Sequence, residues 1–128
     1  MEKTEEKNLI KKKTYAFALK IIECYKILSS ANKYVLSKQL LKAGTSIGAN
    51  VEEAMAGQSR ADFLSKMSIA PKEARESKYW LRLIRDSKLI DDSHVAPLLA
   101  ESSEIIRILT SIVKTTSSMN SKFKIKNS

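Results

Sequence analysis

The stretch from Ser37 to Ile90 most limits what this chain can become. Its centre reads Ser46-Ile47-Gly48-Ala49-Asn50-Val51-Glu52-Glu53-Ala54-Met55-Ala56-Gly57 and goes on to Ser59-Arg60-Ala61-Asp62-Phe63. The first part is a helix lined with small residues. Gly57 is placed to stop it, because glycine takes the left-handed C′ conformation without a Cβ penalty. Ser59 is placed to cap the next helix, with Asp62 three residues on, near the positive helix end. The pattern predicts a helical hairpin.

Turns elsewhere must be few, since the 128 residues include only three glycines and two prolines. A strand-rich sandwich needs a turn about every 8–12 residues, so long helices are favoured. The length fits one domain, and the 43% hydrophobic content is enough for a core. No run approaches the roughly 20 apolar residues of a membrane span. Cys24 is the single cysteine, so no internal disulfide can form, and the N-terminus is charged, without an apolar leader segment. These features together predict a cytoplasmic protein.

Residues 1–13 hold five Lys and three Glu and form a charged, partly disordered N-terminal segment. A first helix is expected from about Asn8 to Ser29. Its face is Tyr15, Ala18, Leu19, Ile22 and Tyr25, widened by Ile21 and Leu28. A second helix runs from Leu36 or Ser37 to about Ala56 with the seam Leu40, Ala43, Ile47, Val51 and Ala54. Gly44 and Gly48 each cost about 1 kcal/mol inside a helix, which suggests a neighbour's close approach; simple tolerance is the other reading. Ser46, Asn50 and Glu53 share another face, either a polar stripe between helices or an ordinary solvated one.

A third helix is expected from Arg60 to about Lys88, with the seam Phe63, Met67, Ala70, Ala74, Ser77, Leu81 and Ile84. Pro71 lacks an N–H and clashes with the Met67 carbonyl, so one kinked helix is expected. Ile69, Trp80 and Leu83 make a second apolar flank, suggesting a subunit contact. Asp91-Asp92-Ser93 is a turn and cap. The fourth helix runs from Ser93 or His94 to Ser118 through Val95, Leu98, Leu99, Ser102, Ile105, Ile106, Leu109, Ile112, Val113 and Thr116, with Pro97 in its first turn. Residues 119–128 are a lysine-rich tail expected to be disordered. The fold class is therefore all-α, an antiparallel up-down-up-down four-helix bundle over residues 14–118.

Chemistry is hard to find. His94 is the only histidine, and no second His or Cys is available to build a metal site with it. Cys24 reads as buried and structural. No Glu-x-x-His pair and no Gly-Lys-Ser/Thr loop occurs. No cofactor and no enzymatic activity are expected. The informative feature is Arg75, Lys78, Arg82 and Arg85, recurring at steps of three and four on one face of the third helix. They span about 80° of the helix. Tyr79 lies beside them, where it can stack on a base. Arginine forks grip phosphates, and neutralised phosphates release counterions. With a formal net charge of +9, RNA or DNA is the obvious partner. A solvated face with local ion pairs is the alternative, in a scaffold that binds a protein partner instead.

Leu40-Leu41-Lys42-Ala43-Gly44-Thr45-Ser46-Ile47-Gly48-Ala49-Asn50-Val51-Glu52-Glu53-Ala54 resembles the second helix of the 23S ribosomal RNA intervening-sequence protein family. Ser59 to Phe63, Lys66 to Ala70, Lys72-Glu73-Ala74, Glu76 and Tyr79 to Ile84 resemble its third. The resemblance covers about Tyr15 to Lys114. It implies a bacterial four-helix bundle that assembles as a homopentamer, and a shared fold with the accessory variability protein of diversity-generating retroelements, a basic pentamer that binds a reverse transcriptase and nucleic acid. It supplies no catalytic residues. Pro71 departs from the pattern, which has a helix former there.

Overall fold

The computed structural model describes the backbone of residues 2–126 and the side chains of residues 4–119. It comprises α1 (Glu2–Ser30), α2 (Tyr34–Met55), α3 (Arg60–Met67), α4 (Ala70–Asp86) and α5 (Ala96–Lys126), with a 3-10 turn at Asp92–His94. No strand occurs among the described residues. Helices α3 and α4 follow one another as the third arm. The arms pack in the order α1, α2, α4, α5, and α5 closes back on α1. This is an antiparallel four-helix bundle.

The seams expected for the second and third helices are the observed ones. Leu40, Ala43, Ile47, Val51 and Ala54 are buried on α2, as are Phe63 and Met67 on α3 and Ala70, Ala74, Ser77, Leu81 and Ile84 on α3's continuation. Val95, just before α5, and Leu98, Ser102, Ile105, Leu109 and Ile112 on it are buried, joined by Ile108. Each fully buried large apolar side chain contributes about 1.5–3 kcal/mol.

The first helix corrects the expected face. Its core face is Ile10, Phe17, Ile21, Cys24 and Leu28. Tyr15 is 62% exposed and Leu19 50% exposed. The two glycines of α2 settle the rotation. A Cβ on Gly44 would meet the Ile21 side chain at 2.7 Å, and one on Gly48 would lie 3.4 Å from the Thr14 carbonyl oxygen. The close approach is real, and it turns Ile21 inward and Tyr15 outward. Helix α1 also begins at Glu2 rather than near Asn8, because buried Ile10 ties its first turns to the core. At the other end α5 stays helical to Lys126. The side chains of the lysine-rich tail, and the last two residues altogether, lie outside the described residues.

Two further expectations are corrected. No glycine has positive φ; Gly57 serves by size, since a Cβ there would meet the Ala54 oxygen at 3.1 Å and the Phe63 nitrogen at 3.2 Å. The left-handed C′ positions belong to Asn32 (φ 62°) and Lys88 (φ 56°). Both form Schellman closures: Lys33 N–H donates to Leu28 O at 2.8 Å, and Leu89 N–H to Ile84 O at 3.2 Å. The expected single kinked helix is two helices, interrupted at Ser68 and Ile69, since Pro71 cannot donate to Met67. Ser68 and Ile69 keep right-handed helical angles, so the core register passes through unbroken. Ser59 caps α3 as expected, accepting from Asp62 N–H at 3.0 Å.

Candidate nucleic-acid interface

Among the described residues, the buried core is apolar apart from four hydroxyl-bearing side chains. Its four buried polar residues, Thr14, Ser37, Ser77 and Ser102, each donate a hydroxyl proton to a carbonyl three or four residues back, at 2.8–2.9 Å. Cys24 sits among apolar side chains, and burial pushes its thiol up to about 11. His94 is exposed in the 3-10 turn. Among the described residues, no three of His, Cys, Asp and Glu gather closely enough to hold a metal ion. No helix among them is long and apolar enough to cross a membrane.

The expected basic face lies on α4, outside the core. Arg75, Arg82 and Arg85 are exposed and Lys78 is half-buried. The four differ in what holds them. Arg75 reaches across to α5 and donates from Nη2 to Thr110 Oγ1 at 3.3 Å. Arg85 is gripped by its neighbour Asp86, with Nε to Oδ1 at 2.8 Å and Nη2 to Oδ2 at 3.4 Å. That hydrogen bond holds the Asp86 carboxyl below its usual range. Lys78 and Arg82 make no hydrogen bond or ion pair among the described residues. Tyr79 is 51% exposed and meets the Trp80 ring edge-on, with centroids 5.3 Å apart.

The α4 sequence alone does not show what α5 adds. The Arg75–Thr110 bond fixes the antiparallel register. Because the helices run antiparallel, Arg107, one turn before Thr110 on α5, lies toward the Lys78 end of α4. One turn the other way, Lys114 shares a groove with Lys72 and Arg75. Arg107 and Lys114 are exposed. Sequence reasoning missed Lys72, Arg107 and Lys114. The signal was present in part: Arg107 and Lys114 fall off the α5 seam, and α5 follows α4 in an antiparallel bundle.

The acids are spent elsewhere. Glu52 pairs with Lys11 at 3.9 Å, Glu53 with Lys66 at 3.3 Å and Glu104 with Lys13 at 2.9 Å, while Glu101 pairs with Lys20. Exposed pairs of this kind contribute about 0–1 kcal/mol each, so their effect is on charge layout more than stability. On α4 itself Glu76 accepts from Trp80 Nε1 at 3.3 Å. The pKa of Glu73 is raised, first by burial, then by Glu76, against the pull of Lys42 on α2. Glu73 thus faces the α2 side, with Glu76 beside it. Asp86 is the one carboxylate ion-paired to a cation of the α4–α5 face among the described residues, while Asp92 bears on Arg85 and Glu104 on Arg107 at its edges.

Fold and surface together define a class: a small basic helix bundle with its cations gathered on two adjoining arms. The chain matches the family model described as 23S rRNA-intervening sequence protein over residues 6–111, and it belongs to that family. It is also similar to a solved structure described as a protein with unknown function from the S23 ribosomal protein family, from Bacteroides thetaiotaomicron. The two are 44% identical with a TM-score of 0.81, over 85% of this chain and 98% of that one. Among curated proteins, none matches the chain significantly.

Proposed function

We propose that this chain is a cytoplasmic, non-catalytic, self-associating protein that binds nucleic acid, RNA in preference to DNA, through the α4–α5 face. The observation that carries the reading is the gathering of Lys72, Arg75, Lys78, Arg82, Arg85, Arg107 and Lys114 on the α4–α5 side, with Asp86 the one carboxylate ion-paired among them. Such a face neutralises phosphates and reads backbone in preference to bases. RNA is preferred because the family is named for sequences that intervene in 23S rRNA. Self-association is supported by α1, which leaves Tyr15 and Leu19 in solvent beside Ala18 and Ile22. The pentamer follows from the family resemblance. A ring of subunits repeats the face and raises its effective concentration for one polymer.

The test is a titration against a structured RNA and a duplex DNA at low and moderate salt. The expected result is binding that weakens steeply with salt and is lost when Arg75, Lys78, Arg82 and Arg85 are changed to Gln, with solution mass unchanged. Absence of binding at low salt would refute the reading and favour a protein-interaction scaffold.

A further inference from the structure

Where α3 gives way to α4, the surface opens into a hollow of about 540 Å³ against α5. Ser68, Lys72, Arg75, Thr110, Lys114 and Ser117 surround it, over a floor of Pro71 and Val113. Counting Ser118, three cations and four hydroxyl residues line one space, and no carboxylate lines it. Arg75 is already oriented there by its bond to Thr110, so its fork is partly pre-organised. The peptide N–H groups at the start of α4 do not supply the site: Pro71 has none, and those of Lys72 and Glu73 both bond to Ile69 O. Recognition rests on side chains. The hollow exceeds what one phosphoryl group fills and has room for the sugar attached to it.

We propose that this hollow is a seat for one phosphoryl group, with Lys72, Arg75 and Lys114 as the charged contacts and Thr110 and Ser117 as hydroxyl donors. As a nucleic-acid contact it rests on the function proposed above; as a phosphoryl seat it does not. Arg82 and Arg85 lie further along α4 and serve as a track for the neighbouring backbone. The phosphoryl group comes either from the chain interior, as a phosphodiester, or from a strand end, as a monoester carrying close to two negative charges.

The probe is inorganic phosphate, titrated into the isotopically labelled full chain at constant ionic strength and followed by NMR. Saturable shifts are expected at the Arg75 side chain and at the Lys72 and Thr110 amides, and not at Arg82 or Arg85. Arg75→Gln with Lys114→Gln, both exposed positions, should weaken phosphate binding about tenfold or more while leaving helicity intact. Shifts spread evenly over all arginines would overturn the proposal. A second arm uses one single-stranded RNA oligonucleotide with a 5′-phosphate or a 5′-hydroxyl. Equal weakening of both by the double variant assigns the seat to backbone; weakening of the phosphorylated one alone assigns it to a strand end. Saturable phosphate binding with neither RNA bound would leave the seat standing and remove the nucleic-acid function. RNA binding that needs Arg82 and Arg85, without saturable phosphate binding, would do the reverse.

Discussion

Gly44 of α2 rests directly on Ile21 of α1: a methyl group at that Cα would stand 2.7 Å from Ile21 Cγ1 and 2.8 Å from Cγ2. Ile21 is buried and β-branched, so it has little room to yield. Gly44→Ala should therefore destabilise by about 1–3 kcal/mol, overriding the roughly 1 kcal/mol gained in helix propensity. Gly48→Ala, whose Cβ would make an ordinary contact with Thr14, should be neutral or stabilising by up to about 1 kcal/mol. Denaturant melts of both variants check this. A Gly44→Ala, Ile21→Ala double variant should show a favourable coupling between the sites.

Lys88 holds a left-handed conformation that costs a side-chain-bearing residue about 1–2 kcal/mol. Replacing it with glycine should stabilise the bundle by a net of about 0.5–1 kcal/mol, after the entropy that glycine adds to the unfolded chain. Asn32→Gly should gain less, because asparagine tolerates this region. Thermal melts of the two single variants would show the ranking.

Asp86 both intrudes on the basic face and ties up Arg85. Asp86→Asn should tighten RNA binding and steepen the log–log salt dependence by about 0.7–0.9, the value of one further phosphate contact. Arg85→Gln should cost less than Arg82→Gln, since Arg85 is already neutralised in part. Titrations at three salt concentrations measure both slopes.

Burial of Cys24 makes stability depend on pH in a fixed direction. Its thiol titrates near 9.0 when exposed and at about 11 in the fold. The unfolded chain therefore loses its proton first. The contribution is level below pH 9 and declines as pH rises toward about 11. Comparing melts of the protein and of Cys24→Ala across that window isolates it, and a thiol reagent should label the native protein far more slowly than the unfolded chain.

Tyr15→Glu with Leu19→Glu should reduce the solution mass to that of a monomer while leaving helicity unchanged, because neither residue lies in the core. An unchanged mass by light scattering would place self-association elsewhere, with Leu83 and Tyr79 next to be varied.

The sequence made three of the four seams readable because in each one apolar face is continuous along the helix, even where, as with Ile69, Trp80 and Leu83, a shorter flank lies beside it. Helix α1 has two such faces. Tyr15, Ala18, Leu19, Ile22 and Tyr25 satisfy the helical period as well as Ile10, Phe17, Ile21, Cys24 and Leu28 do, and periodicity cannot choose between them. The choice is made by α2, where only the Ile21 side can nest on Gly44. Gly57 shows the same limit: its smallness was readable, but the reason for it, crowding by Ala54 and Phe63, is tertiary. The α4 stripe was legible as a spacing. Its extension to Arg107 and Lys114 needed the register that the Arg75–Thr110 contact provides.

Pro71 has a further consequence. With no N–H to offer Met67, it cuts an eight-residue helix from the arm that follows. Isolated helices shorter than about 12–15 residues do not persist in water, so α3 exists only while Phe63 and Met67 are docked and Ser59 caps it. Amide protons of α3 should exchange by a local opening that leaves α4 closed, at a smaller free energy than global unfolding. That result would divide the molecule into two cooperative blocks of unequal depth, with one missing proton donor at the boundary between them.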